Sequence, residues 1–177
     1  GYTLVEKPGQ AEVLIVNTCG FIQQARQESL EVLSDLAGKK KPGQLLIAAG
    51  CFSELYREKL AEEVKGIDGI ISTRRWMDMP DLVRALRSEP GHPRYHLPES
   101  ATIGTDDQGV FRVSVQGSSA YLKIADGCRR PCAFCSIPLI KGTQVSRPIE
   151  DILRDAAHMQ AEGIRELILI AQDTTDY

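Results

Sequence analysis

Two short apolar runs constrain this chain more than any other feature: residues 11–16 (Ala-Glu-Val-Leu-Ile-Val) and 45–49 (Leu-Leu-Ile-Ala-Ala). Neither alternates polar with apolar residues in the way of a half-exposed strand. Each therefore predicts a buried strand with both faces covered. Between them Ile22, Ala25, Ser29, Val32, Leu33 and Leu36 recur at helical spacing, and Gly38 supplies a stop. Lys39-Lys40-Lys41-Pro42-Gly43 then reads as a loop. After the second run, Ser53 stands where it can cap a helix whose apolar face is Leu55, Tyr56, Leu60 and Val64. Gly69-Ile70-Ile71 predicts a third strand, and Pro80 opens a helix carrying Leu82, Val83 and Leu86 on one side. Strands alternating with helices mean βαβ units, so the fold class is α/β with a parallel sheet.

The pattern fails between Ser88 and Thr105, where Pro90, Gly91, Pro93 and Pro98 punctuate a stretch without periodicity. The expected organisation is a first domain over 1–88, a linker over 89–119 and a second α/β module from 120 to 177. Phe111–Val115 alternates and predicts a strand. In the second module Tyr121–Ala125 is a strand, followed by a loop with three cysteines. Pro148 opens a helix bearing Ile149, Ile152, Leu153, Ala156 and Met159, Gly163 ends it, and Leu167–Ala171 is the next buried strand. No internal repeat and no low-complexity segment interrupts the reading.

Composition narrows the function. With 42% hydrophobic and 25% charged residues over 177 positions, the chain is that of a globular protein. It can bury roughly two-thirds of its unfolded surface without disulfide staples. Lysine plus arginine is 21 against 24 aspartates plus glutamates, a net charge of −3, which argues against a dedicated nucleic-acid binder. No apolar run approaches the roughly 20 residues of a membrane span, and no secretory signal opens the chain. Five cysteines cannot all pair internally, and their spacing suits a reducing, cytoplasmic compartment and metal chemistry. The chain opens on Gly1 and closes on Tyr177 just after an apolar run, so it reads as a piece of a longer protein.

Cys128-Arg-Arg-Pro-Cys132-Ala-Phe-Cys135 places three thiols within eight residues. Thiolates are soft ligands that suit iron–sulfur clusters or zinc. A four-iron cluster held by three cysteines leaves one iron open to a substrate or cofactor. The loop follows a predicted strand, where α/β folds place ligands. Structural zinc would need a fourth ligand, and His92, His96 and His158 lack finger-like spacing. A thioredoxin-like C-x-x-C explains Cys132 and Cys135 but not Cys128. Three unconnected core cysteines do not suit a turn containing Arg129, Arg130 and Pro131. Cys19 and Cys51 each follow a predicted strand of the first module. Both thiols can face one crevice at the sheet's carboxyl edge, or both can be ordinary buried fillers.

Tyr121–Ser136, with Phe134 just before the last cysteine, resembles the radical S-adenosylmethionine (SAM) superfamily. Val16-Asn-Thr-Cys19, Ala49-Gly-Cys51, Lys141-Gly142 and Ser146-Arg147-Pro148 resemble its methylthiotransferase branch. Cys19-Gly-Phe-Ile22 and Ile170-Ala-Gln-Asp-Thr-Thr-Asp-Tyr177 are similar to the type that thiomethylates an aspartate of a small-subunit ribosomal protein. The tRNA-adenosine type tends to carry asparagine in place of Asp173. The resemblance implies a Rossmann- or flavodoxin-like methylthiotransferase domain followed by the first βα units of a radical SAM partial barrel. It implies a 4Fe–4S cluster on Cys128, Cys132 and Cys135, with SAM on the open iron. A reduced cluster would split the sulfonium, giving a 5′-deoxyadenosyl radical that takes hydrogen from the target. Phe134, Gln172 and Asp173 would lie against SAM. A second 4Fe–4S cluster would sit on Cys19 and Cys51, its third cysteine lying upstream of Gly1. An electron donor such as a flavodoxin and an RNA contact through a C-terminal domain beyond this stretch belong to the same picture. Two barrel strands cannot close around SAM, so this stretch alone is expected to be inactive.

Several residues carry two readings. Arg129 and Arg130 are either a solvated loop or charges that tune the cluster and meet an acidic donor. Lys39-Lys40-Lys41 is a solvated turn or a contact to ribosomal RNA. Gln172 and Asp173 sit at the expected active edge or cap a helix. Lys141, Ser146 and Arg147 hold SAM or substrate, or simply begin the next helix. His92 and His96 read as surface residues, and Trp76 as packing.

Overall fold

The computed structural model describes residues 2–89, 93–97 and 115–177. The chain divides into two compact units, Gly1–Pro98 and Glu99–Tyr177. In the first, β1 (Val13–Thr18), β2 (Leu45–Gly50), β3 (Gly69–Ile71) and β4 (Arg94–His96) form a parallel sheet in that order. Helix α1 (Gln23–Lys39) joins β1 to β2. Helices α2 (Cys51–Tyr56) and α3 (Glu58–Glu63) lead to β3, and α4 (Met79–Ser88) leads on toward β4. This is the α/β, parallel-sheet class that the apolar runs demand.

The central strand shows why its sequence does not alternate. Side chains along a strand point to opposite faces in turn. Leu46 and Ala48 join a core with Leu33, Phe52 and Leu60, while Ile47 and Ala49 join another with Ile71, Leu82, Val83 and Leu86. Both faces of β2 are thus covered, and each fully buried large side chain contributes roughly 1.5–3 kcal/mol relative to exposure. The expectation for residues 11–16 needs correction. β1 lies at the sheet edge, and Ile15 is 48% exposed while Leu14 is buried.

Local boundaries differ in instructive ways. Gly38 lies inside α1, which runs one residue further, to Lys39. Ser53 does not cap α2; it is its third residue, fully buried, and Gly50 stands at the cap position. The single helix expected over Leu55–Val64 is broken at Arg57, whose φ of 49° is the left-handed value that non-glycine residues avoid. Phe52, 1% exposed, fills the core place expected of Leu55. Arg94–His96, within the span read as linker, adds a strand to β3. Pro90, Gly91, His92 and Pro98 lie outside the described residues, as does all of the expected 111–115 strand except Val115.

In the second unit, β5 (Val115–Gln116) pairs antiparallel with β6 (Ser119–Lys123). β6 pairs in parallel with β9 (Glu166–Ile170) through the crossover helix α6 (Ile149–Ala161). Here β6 does alternate: Ala120 and Leu122 turn inward against Met159, with Ile152, Ala156 and Ile164 around them. β7 (Ala125–Asp126) and β8 (Val145–Ser146) make a two-residue antiparallel ladder, and α5 (Ile137–Lys141) lies between them in sequence. Pro148 caps α6, as its position in the sequence predicts. No helix among the described residues is long and apolar enough to cross a membrane.

Candidate functional site

In the first unit, Thr18 and Gly50 are register partners at the ends of β1 and β2. Cys19 follows the last residue of β1 and Cys51, the first residue of α2, follows the last of β2, so parallel pairing sets the two cysteines at the same carboxyl edge. Glycine makes the approach possible. A Cβ on Gly50, whose φ is 98°, would lie 2.4 Å from the Thr18 carbonyl and 2.5 Å from Asn17 Oδ1. One on Gly20 would lie 2.9 Å from the Phe52 backbone. Hydroxyls fix the rest. Thr18 Oγ1 donates to the Ala49 carbonyl at 2.5 Å, and the Ser53 amide donates to Thr18 Oγ1 at 3.2 Å. The Cys19 amide donates to Ser29 Oγ at 3.2 Å, and Ser29 Oγ donates to the Ala25 carbonyl at 2.7 Å. Arg26 Nε donates to the Gly20 carbonyl at 2.8 Å, with its guanidinium 5.8 Å from the centre of the Tyr56 ring. Cys19 is exposed and Cys51 half-buried; neither is in a disulfide.

In the second unit the cysteine loop also leaves from a glycine pinch. A Cβ on Gly127 would lie 2.3 Å from the Thr143 carbonyl, and the Cys128 amide donates to the Gly142 carbonyl at 3.1 Å. The Cys135 amide donates to the Cys132 carbonyl at 3.0 Å, closing a turn around Phe134. The Arg130 amide donates to Cys128 Sγ at 3.4 Å. Cys132 is exposed, Cys128 and Cys135 are half-buried, and none is oxidised to a disulfide. No three His, Cys, Asp or Glu side chains among the described residues are gathered as a single metal ion would need. The donor set in the loop remains three soft sulfurs with no nitrogen or carboxylate partner. Three soft sulfurs are a donor set that fits an iron–sulfur cluster.

Arg129 and Arg130 are exposed, and each is paired with an aspartate. Arg129 forks onto Asp176 (Nε to Oδ2, 2.6 Å; Nη2 to Oδ1, 2.7 Å), and Arg130 Nε donates to Asp173 Oδ2 at 2.7 Å. Hydrogen bonds from Thr175, then from Arg130, lower the Asp173 carboxyl to about 2. The Asp176 carboxyl is lowered by its bond to Arg129, and both guanidiniums are raised by their aspartates.

Residues 1–72 match the family model described as "Uncharacterized protein family UPF0004". Over its whole length the chain is 41% identical to the ribosomal protein uS12 methylthiotransferase RimO of Roseiflexus sp. (strain RS-1), covering 41% of that protein. It is likewise 41% identical to the proteins of that name from Chloroflexus aurantiacus and Anaeromyxobacter sp. (strain K), covering 41% and 37% of them. Along its whole length the chain is similar to RimO-type methylthiotransferases. It spans about two-fifths of the length of these relatives.

The side chains expected against SAM fall into different surroundings. Phe134 is 90% exposed, and Gln172 is exposed. Asp173 is already engaged, accepting from Arg130 on one oxygen and from Thr175 N and Oγ1 on the other. It caps the 3-10 turn Thr174–Asp176, so its helix-cap reading is realised. Arg147 is buried and structural: Nη1 donates to the Lys123 carbonyl and Nη2 to Asp155. Lys141 and Lys123 flank the buried Asp126 at 3.5 and 2.9 Å. The three loop lysines each find a partner within the chain: Lys39 meets Asp35, Lys40 meets Asp68 and Lys41 meets the Gly9 carbonyl. His96 is paired with Asp78 at 2.5 Å, and Trp76 packs beside the Ile47 core. Sequence reasoning missed Gly20, Ser29, Arg26 and Asp126. For Asp126, adjacency to the glycine before Cys128 was the available signal.

Proposed function

We propose that this chain is the N-terminal domain and the first βα units of the radical SAM barrel of an enzyme that adds a methylthio group to the β-carbon of an aspartate in ribosomal protein uS12. One observation carries the reading: 41% identity along the entire chain to proteins that bear that activity in their names. A tRNA adenosine as acceptor is not favoured, because none of those names refers to tRNA. The organisation proposed is a methylthiotransferase domain over 1–88, a connecting segment over 89–119 and the opening of the barrel over 120–177.

Cys128, Cys132 and Cys135 would hold one 4Fe–4S cluster, and Cys19 and Cys51, with a ligand from outside this stretch, a second. Bound there, the clusters supply an electron to SAM and a sulfur for insertion. The chain's own contribution is positional. Gly50 and Gly20 let two cysteine loops approach at one sheet edge, and the Arg130 amide donates to Cys128 Sγ. Gly127 seats the second loop against Gly142–Thr143. A reducing cytoplasmic setting, a flavodoxin-like electron donor and an RNA contact outside this stretch belong to the same proposal.

The test uses a protein carrying this chain at the full length of its relatives, reconstituted anaerobically and supplied with SAM and a reductant. We expect one methylthio group on a uS12 aspartate, found by peptide mass spectrometry, and unmodified tRNA. Thiomethylated tRNA beside unmodified uS12 overturns the substrate. Cys132→Ala should lose the iron of one cluster; iron content equal to wild type overturns the ligand assignment.

A further inference from the structure

The loop from Cys128 to Cys135 has little of what normally orders a protein segment. Residues 129–134 are all exposed, so no apolar burial holds them. Its backbone bonds lie at the two ends, Cys128 to Gly142 and Cys135 to Cys132. Between those ends the side-chain anchors are Arg129 and Arg130, and both reach the same five-residue segment after β9. Arg129 grips Asp176 by two parallel donors and also approaches the Asp176 carbonyl at 3.3 Å. Arg130 grips Asp173.

That segment is itself built as an anchor. Asp173 Oδ1 accepts from Thr175 N at 3.0 Å and Thr175 Oγ1 at 2.6 Å, closing a turn that sets the direction of Asp176. Tyr177 OH donates to the Arg147 carbonyl at 2.8 Å. Arg147 is buried, and its guanidinium bonds the end of β6 and Asp155 of α6. A continuous series of contacts therefore runs from the β6–α6 scaffold through Tyr177 and the aspartates to the two arginines between the first two cysteines. The Asp173 and Asp176 side chains are only 15% and 24% exposed although the arginines are 59% and 57% exposed, so the anchored partner is the acid. A forked Arg–carboxylate pair fixes direction as well as distance, which a point charge does not.

We propose that Asp173 and Asp176, through Arg130 and Arg129, form a clasp that sets the cysteine loop before any cluster is present. All four are positioning residues and not contacts to SAM. Two acids against two bases also leave the clasp without net charge, so its action on the trio is geometric. The inference rests on the proposed role of the trio only in what the loop positions; the clasp itself is a property of the metal-free chain.

The test has two arms. In the metal-free 177-residue chain, hydrogen exchange is followed at the Cys128 and Cys135 amides. The R129M/R130M double variant should exchange about threefold to tenfold faster than wild type, the size of a pair of partly exposed ion pairs. R129K/R130K should recover part of the loss, and 1 M salt should shrink the difference between wild type and the Met variant. The near-isosteric Asp176→Asn variant tests the fork from its other side. Unaltered Met159 exchange on α6 shows that the scaffold stands. Wild-type protection at Cys128 and Cys135 in R129M/R130M overturns the clasp. In the second arm, anaerobically reconstituted protein is challenged with a chelator, and the Met variant should release iron faster by a similar factor. Loosened amides with wild-type iron release overturn the positioning role. Iron content equal to wild type in Cys132→Ala sinks the cluster reading instead, while the exchange arm still judges the clasp.

Discussion

The two cysteine-bearing edges are built by opposite means. At the first, Cys19 and Cys51 extend from paired strands inside a sheet, and buried hydroxyls and glycines fix them. At the second, three cysteines ride an exposed loop tied down by charge. Backbone packing is insensitive to salt and pH but intolerant of added atoms. Charged anchoring tolerates shape changes and yields to screening and protonation. Placement at the first edge is therefore a by-product of folding, whereas placement at the second is adjustable apart from the fold.

The largest effect that tests this contrast is Gly50→Ala. The new Cβ meets backbone at 2.4 Å, and the residue must keep a φ of 98°. We expect a loss of about 3 kcal/mol or more, read from urea unfolding of the metal-free chain. A loss under about 1 kcal/mol would mean that the edge is not pinched. Thr18→Val should cost less, about 1–3 kcal/mol, because it strips the Ser53 amide and side chain of their buried partner. Its midpoint shift should be the same at low and high salt. A shift that collapses in 1 M salt would erase the distinction between the two edges.

The sequence marked the scaffold of the first edge and the cysteines of the second, for different physical reasons. The non-alternating runs at 11–16 and 45–49 predict strands of a parallel sheet, and the pairing of those strands sets Cys19 and Cys51 at one carboxyl edge. Burial held for β2 but failed for β1 and for β9, where the strand expected to be buried is exposed at all five residues, because an apolar pattern does not say which strand is the edge. The short strand β4 escaped notice: Arg94-Tyr95-His96 has no apolar run to mark it, and it is ordered by the backbone of β3. The cysteine spacing at 128–135 was legible, but its anchoring was not. Asp173 and Asp176 lie 43 and 47 residues from their arginines, and a pairing at that separation leaves no local pattern. Arg147 looked available for SAM because its burial is tertiary, produced by Lys123 and Asp155.

A charged contact in the first unit sharpens the comparison from within. Lys40 Nζ meets Asp68 Oδ2 at 2.6 Å, and the Leu46 amide also donates to that oxygen at 2.6 Å. Lys40→Met should cost about 0.5–1 kcal/mol at low salt and less at 1 M, since Asp68 keeps its amide donor. A cost as large as that of Thr18→Val would show that charge also governs the first unit.

The smallest effect on stability, and the most specific to the second edge, is the titration of Asp173. Its carboxyl is held at about 2 by bonds from Thr175 and Arg130, below the ordinary 3.8. A carboxyl lowered by folding contributes stability above its unfolded value. That contribution is lost as pH falls from about 4 through about 2, and nothing is lost between pH 5 and 8. Carbon-detected NMR of the metal-free chain should place the Asp173 midpoint near 2. In R130M it should move up only part of the way toward 3.8, because the bonds from Thr175 remain and are the larger cause. Thr175→Val, which removes the hydroxyl donor and keeps the amide, should raise the midpoint further than R130M does. The reverse ranking would mean that Arg130 holds Asp173, and not that the turn holds Asp173 ready for Arg130. The anchored end of the clasp would then be the loop itself.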